Sequence, residues 1–260
     1  MSLLLSLLLA ANPALSPVGP WRVKADGNGC LLNAPYRDGE KDLSLVFKPL
    51  VGLPENELSV IASDPTPRQY AGSYKLSVEP DGSSHTGRFF SIMSADAKLR
   101  ITRLTVSGPF LENLDDAQVV RIKAFPTDSR LQLNGINQGK ELLTDCIVKL
   151  KASWGIQENS NITTEPKVIP ASLRYFSSDH YPAEAVALGV YGRVVALLNI
   201  DSAGTVKGCH IVSSAGPSLN AGTCRSALKM TFEPARERDG KPASSHYYLP
   251  VRWVMPGTGR

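Results

Sequence analysis

The sequence predicts an α+β protein in which a strand-rich region closed by a helix precedes a C-terminal α-β-β-α-β module with an antiparallel three-stranded sheet. Three observations carry this expectation. Short segments of alternating apolar and polar residues, broken by Gly, Pro, Asp and Asn, run from Trp21 to Gly155. A hairpin pattern spans Gly192 to Ser213, and a last alternating run occupies His246 to Val254. With 21 Gly and 19 Pro among 260 residues the chain is too turn-rich for a long coiled coil, and its 42% hydrophobic content suffices for one or two cores.

In the first region, residues 21–155, strands are expected around Leu43, Leu45 and Phe47, around Leu58 and Val60, and around Tyr74, Leu76 and Val78. Further strands are expected around Leu99, Ile101, Leu104 and Val106, around Val119, Val120 and Ile122, and around Leu131 and Leu133. Lys140 to Trp154 departs from this period, because Leu142, Leu143, Cys146, Ile147, Leu150 and Trp154 recur at helical spacing. Cys146 lies on that apolar stripe and is expected to face a sheet carrying Cys30. Ile156 to Ala171 is polar, holds two prolines and reads as a linker to a C-terminal domain over residues 172–260.

The chain opens on an apolar run from Leu3 to Ala11, which as a helix would reach about 14 Å against a hydrocarbon core of about 30 Å. That length suits the core of a secretory signal peptide over residues 1–16, with Ala10, Ala11 and Ala14 as small residues near a cleavage point. No Lys or Arg precedes the leucines, so only the terminal amine supplies positive charge there. Four cysteines, Cys30, Cys146, Cys209 and Cys224, fit an oxidising compartment and permit three pairings by sequence alone. They form no CxxC and have no histidine cluster beside them, so neither a thioredoxin-like redox site nor a metal site is expected. The formal charge of +4 is spread without runs, which argues against a nucleic-acid partner.

In the last third, Pro182 suits the first turn of a short helix from Tyr181 to Leu188, ended by Gly189. Val194, Ala196, Leu198 and Ile200 then share one face of a strand, and Asp201 to Gly204 form a tight turn in which Gly204 supplies positive φ. A second strand runs from Thr205 to Ser213. Ser218 is a suitable cap for a helix from Leu219 to about Met230, on which Cys224, Ala227, Leu228 and Thr231 share a stripe. On the final strand Tyr247, Leu249, Val251 and Trp253 lie on one face.

Six segments in this order carry a family resemblance: YPAEA from Tyr181 and Pro182, GRV from Gly192, the hairpin's Asp201 and Gly204, VSSAG with Ser213 and Ser214, FEPA with Phe232, Pro234 and Ala235, and PVRW from Pro250. Together they resemble the TonB C-terminal domain family of energy transducers, over roughly residues 175–254. Beside that resemblance, Cys209 in the second strand and Cys224 on the inward stripe of the following helix are placed as a strand-to-helix disulfide requires.

The resemblance implies a periplasmic protein that captures an extended peptide of an outer-membrane transporter by strand addition, in which a sheet edge's unpaired main-chain groups are completed by the peptide. Pro250 cannot donate to a ladder, so the final strand is expected at an edge, with Tyr247, Tyr248, Leu249, Val251 and Trp253 as partner contacts. Pro250 and Arg252 also suit an edge blunted against aggregation. Family transducers resemble one another in an N-terminal membrane helix and a long Pro-rich spacer, neither of which matches here. The alternative is an envelope scaffold whose N-terminal region holds the partner and whose TonB-like module serves assembly. An enzyme is not expected: His85, His180, His210 and His246 form no HExxH, no GxSxG is present, and the SxxK match at Ser226 and Lys229 lacks a KTG partner. No cofactor is implied.

Overall fold

The computed structural model describes residues 13–26, 28–64, 70–94, 96, 98–156 and 161–256. The expected leader falls outside these up to residue 12. The chain divides into two compact units, one of residues 1–24, 30–49 and 54–145, the other of residues 25–29, 50–53 and 146–260.

The first unit carries most of a nine-stranded sheet: β1 (Arg22–Ala25), β2 (Cys30–Asp38), β3 (Lys41–Pro49), β4 (Glu55–Ser63), β5 (Tyr70–Glu79), β6 (Ser84–Met93), β7 (Leu99–Ser107), β8 (Val119–Ala124) and β9 (Thr127–Gln132), of which β2 to β9 pair antiparallel. Their order is β1-β2-β3-β4-β7-β6-β5-β8-β9. The sheet is closed by the stretch from Leu15 to Val18. Leu15 N–H donates to Arg130 O at 2.8 Å and Gln132 N–H to Leu15 O at 2.9 Å, while Val18 N–H donates to Pro35 O at 2.9 Å. The last two residues of the expected leader, Leu15 and Ser16, thus form part of the seam.

Alternation turns Leu32, Tyr36, Leu45, Phe47, Leu58, Leu76, Leu104, Ile122 and Leu131 fully inward. β7 runs in the register opposite to that suggested by its first apolar pair: Leu99 is 39% exposed while Arg100 is 3% exposed. Arg100 is held by the Asp64 carboxylate at 2.5 Å and by Ser91 Oγ at 3.2 Å. A buried guanidinium is tolerable only with such partners.

Helix α1 (Ile136–Ser153) starts a turn before the apolar repeat suggested and buries Ile136, Gly139, Leu143 and Leu150. Leu142, expected on its apolar stripe, is 46% exposed. A Cβ on Gly139 would lie 2.8 Å from Leu32 Cδ1, so the helix packs at backbone distance. The boundary between the units falls within α1, between Asp145 and Cys146.

The second unit carries β10 (Ile162–Thr164), β11 (Lys167–Val168), α2 (Ala183–Ala187), β12 (Gly192–Ile200), β13 (Val206–Ser213), α3 (Pro217–Ala227), β14 (Phe232–Glu233), β15 (Ala235–Glu237), β16 (Pro242–Ala243) and β17 (Ser245–Trp253). A 3-10 turn, Pro170–Phe176, precedes α2. The main sheet has the order β13-β12-β17, all antiparallel. Part of the expected linker is strand: β10 pairs with β15 and β11 with β14. Polar side chains concealed this, because ladder bonds are made by the backbone whatever the side chains are.

Two further expectations on α3 are corrected. Pro217 opens the helix with Gly216 as its cap residue, so Ser218 is not the cap; Pro at the first position needs no N–H there. Leu228 is 48% exposed, and the inward stripe is Leu219, Gly222, Thr223, Ser226 and Ala227. The chain therefore exhibits α+β architecture rich in strands.

Candidate peptide-binding edge

β17 pairs with β12 along its full length, from Gly192 opposite Trp253 to Ile200 opposite Ser245. Among the described residues β12 is its only strand neighbour, so β17 is an outer strand. Strand alternation sends Leu249, Val251 and Trp253 into the core with Val194, Ala196, Leu198, Leu219 and Ala227. Tyr247 packs at the margin of that core, its ring 5.1 Å from Phe232.

Trp253 is held from three sides. Its indole N–H donates to Thr223 Oγ1 at 2.9 Å, and its ring meets Tyr181 edge-on at 5.2 Å and Phe176 at 6.2 Å. Leu249, Val251 and Trp253, expected as partner contacts, are thus turned into the core, whereas Tyr247 is only partly buried. A small sheet must bury one face, and the apolar period marks the face that the helices cover.

What β17 leaves outward is main chain and the opposite register. Pro250 and Arg252 are exposed, whereas Tyr248 is partly buried and its phenol is pushed above its ordinary pKa by burial. Its ring lies on Gly52, in the segment Leu50–Leu53 of the same unit: a Cβ there would fall 1.8 Å from Tyr248 Cζ. Nothing in the local sequence around Gly52 signalled that contact. Pro250 pairs with Val195 without an N–H to offer. In an antiparallel ladder such a residue fits where its N–H would point away from the paired strand, and the same alternation aims the main-chain groups of Tyr248 and Arg252 outward. Arg252 lies directly opposite Arg193 in the ladder.

The family-motif residues assemble the support for this edge. Tyr181 O–H donates to Val190 O at 2.7 Å, and burial raises the phenol's pKa. Pro182 packs on Gly222 of α3, and Gly192 sits opposite Trp253. Asp201 Oδ1 accepts the N–H groups of Ala203 and Thr205, each at 2.9 Å, and fixes the hairpin turn. Gly204 has φ +80°, and a Cβ there would come 2.0 Å from Phe232 O, so the turn needs glycine both for conformation and for approach.

Ser213 is buried opposite Val195, while Ser214 Oγ accepts from Gly216 N–H at 3.1 Å and Asn220 Nδ2 at 2.8 Å. Phe232 and Ala235 are buried, and Pro234 lies between them beside Gly204. Cys209 and Cys224 form a disulfide with Cα atoms 5.7 Å apart. Cys30 and Cys146 are also disulfide-bonded, and no cysteine is free.

Ser226 is 5% exposed in the inward stripe of α3, whereas Lys229 lies 5.9 Å from the Tyr175 ring centroid. His180 Nδ1 bonds Ser177 Oγ at 2.9 Å, and His85 meets Phe110 edge-on. No helix among the described residues is long and apolar enough to cross a membrane.

Residues 177–255 match the family model for the C-terminal region of the Gram-negative bacterial TonB protein. No curated protein and no solved structure matches the chain. The match covers the whole of α2, β12, β13, α3 and β17, and the six segments read as a TonB resemblance all lie within it.

Proposed function

We propose that this protein is a periplasmic binding protein whose TonB C-terminal domain captures an extended segment of an outer-membrane partner by strand addition to β17, in energy-coupled transport across the envelope. The observation that supports the reading best is the outer position of β17 in the order β13-β12-β17 within the matched region. Main-chain ladder bonds supply the affinity, and with net bonds worth about 1 kcal/mol each against the ordering cost, binding falls near the micromolar range. The exposed Arg252 favours an acidic residue on the incoming strand at that end. The activity is binding, with no catalytic step and no cofactor.

A photo-crosslinking amino acid in place of Arg252, in the full chain expressed in a Gram-negative host, tests this. Adducts with an outer-membrane protein, mapped to an extended segment and absent when the same group replaces Arg225 on α3, are the expected result. No adduct, or equal adducts from both positions, overturns it. The scaffold reading draws on one observation, the separate closed sheet of the first unit with its own core. It predicts crosslinks from the first unit that persist when β17 is blocked by Arg252→Pro.

A further inference from the structure

Where β17 begins, beside the end of β12, the second unit has a cavity of about 470 Å³. Trp154, Ile162 and Ile200 give it apolar walls, and Asn199, Ser245 and Glu165 give it oxygen atoms. Asn199 Oδ1 and Ser245 Oγ are buried with no hydrogen-bond partner, and Ser245 as a whole is 4% exposed. The Asn199 amide is oriented by its Nδ2, which faces the Trp154 carbonyl oxygen at 3.5 Å, so the acceptor end is the one left unsatisfied. Buried polar atoms in native structures are almost always paired, and an exception at a cavity is completed by what enters the cavity.

The charges around it define the complement. Asp201 is engaged by the Ala203 and Thr205 N–H groups and by Lys207 Nζ at 3.3 Å, which offsets the lysine's charge. Burial, with His210 nearby, pushes the His246 imidazole below its ordinary pKa and keeps it neutral at neutral pH. Glu165 is left as the net charge of the lining. One amide acceptor without a donor, one unpartnered hydroxyl that can accept, one carboxylate, an indole and two aliphatic walls fit a cationic head on an aliphatic stem.

We propose that this cavity seats a lysine or arginine side chain of the peptide added along β17. Ser245 and His246 both line the cavity and open the strand, so a peptide on its outer edge passes this end. The proposal rests on the strand-addition reading for the source of the side chain. The cavity's own selectivity is independent of the edge, and the test exploits that.

The full chain, labelled for amide NMR, is titrated with n-butylguanidinium, with pentanoate and pentanol as anionic and neutral counterparts. Saturable shifts of the Asn199, Ile200, Ser245 and His246 amides by n-butylguanidinium, absent with the other two, are expected. Asn199→Ala weakens that binding about tenfold through loss of a hydrogen bond to a charged donor. Glu165→Gln, at an exposed position that leaves the fold intact, weakens it about threefold. No shifts at these residues, equal shifts with pentanoate, or affinity unchanged in both variants overturns the proposal. If n-butylguanidinium binds as described while the Arg252 crosslinks fail, the cavity assignment stands and strand addition alone is refuted.

Discussion

Pro182 and Gly222 meet with no space for another atom: a Cβ on Gly222 would lie 2.5 Å from Pro182 Cγ. The contact joins α2 to α3, the two helices against the core-facing side of the sheet. The Pro182 ring cannot swing away, since its φ is locked and its carbonyl accepts the Val186 N–H at 3.1 Å.

Gly222→Ala is therefore expected to destabilise the domain by about 1–3 kcal/mol, although alanine favours helix over glycine. The Pro182→Ala/Gly222→Ala pair recovers part of the loss. Urea unfolding of the two single variants and the double variant checks it, with a coupling energy of zero as the contrary outcome.

Thr223 is fully buried, accepting from the Trp253 indole and donating to Leu219 O at 2.9 Å. Thr223→Val keeps the shape and removes both bonds, stranding the indole N–H. A loss of about 1–3 kcal/mol in unfolding free energy is expected, with a change in near-ultraviolet tryptophan dichroism. Thr223→Ser, which keeps the hydroxyl, retains the dichroism.

The Cys209–Cys224 bridge closes a loop with a sequence separation of 15. In the chain-entropy picture a loop of that size contributes about 3 kcal/mol, so Cys209→Ser/Cys224→Ser lowers the denaturant midpoint of the C-terminal transition.

The Asp201 carboxyl is held below its usual carboxylate range, first by the Thr205 N–H and further by Lys207 and the Ala203 N–H. A depressed folded-state pKa gives stability that is present above the unfolded carboxylate pKa and lost as pH falls through the folded one. Asp201→Asn should flatten the acid limb of the stability curve and leave the region above neutrality parallel to that of the natural chain. Urea midpoints from acid to neutral pH measure this, and an unchanged acid slope refutes the assignment.

The hairpin at Asp201 and Gly204 was legible because its chemistry is local: a carboxylate that captures two N–H groups and a glycine with positive φ need no knowledge of the rest of the chain. The same holds for most of the alternating strands and for all of α1 after its first turn. β2 and β6 were harder to read, since Pro35 and the run Ser84 to Arg88 break the apolar period. Direction was less legible than existence. Leu99 and Ile101 marked β7 correctly as a strand and pointed to the wrong face, because Arg100 satisfies its charge inside with Asp64.

At the candidate site the edge position of β17 was readable from Pro250 alone, whereas the side chains available to a partner were not. The apolar stripe of Tyr247, Leu249, Val251 and Trp253 is the signature of whichever face is covered, and whether a helix or a partner covers it is decided by α3 and by Thr223 and Tyr181. Local sequence determined the elements, the turns and the six segments matching a TonB C-terminal domain, because these depend on backbone conformation and on neighbours in the chain. Tertiary structure alone decided the seam at Leu15 and Pro17, the seat of Tyr248 on Gly52 and the unpaired oxygens of Asn199 and Ser245. Each of these depends on groups far apart in sequence, whose approach is set by packing.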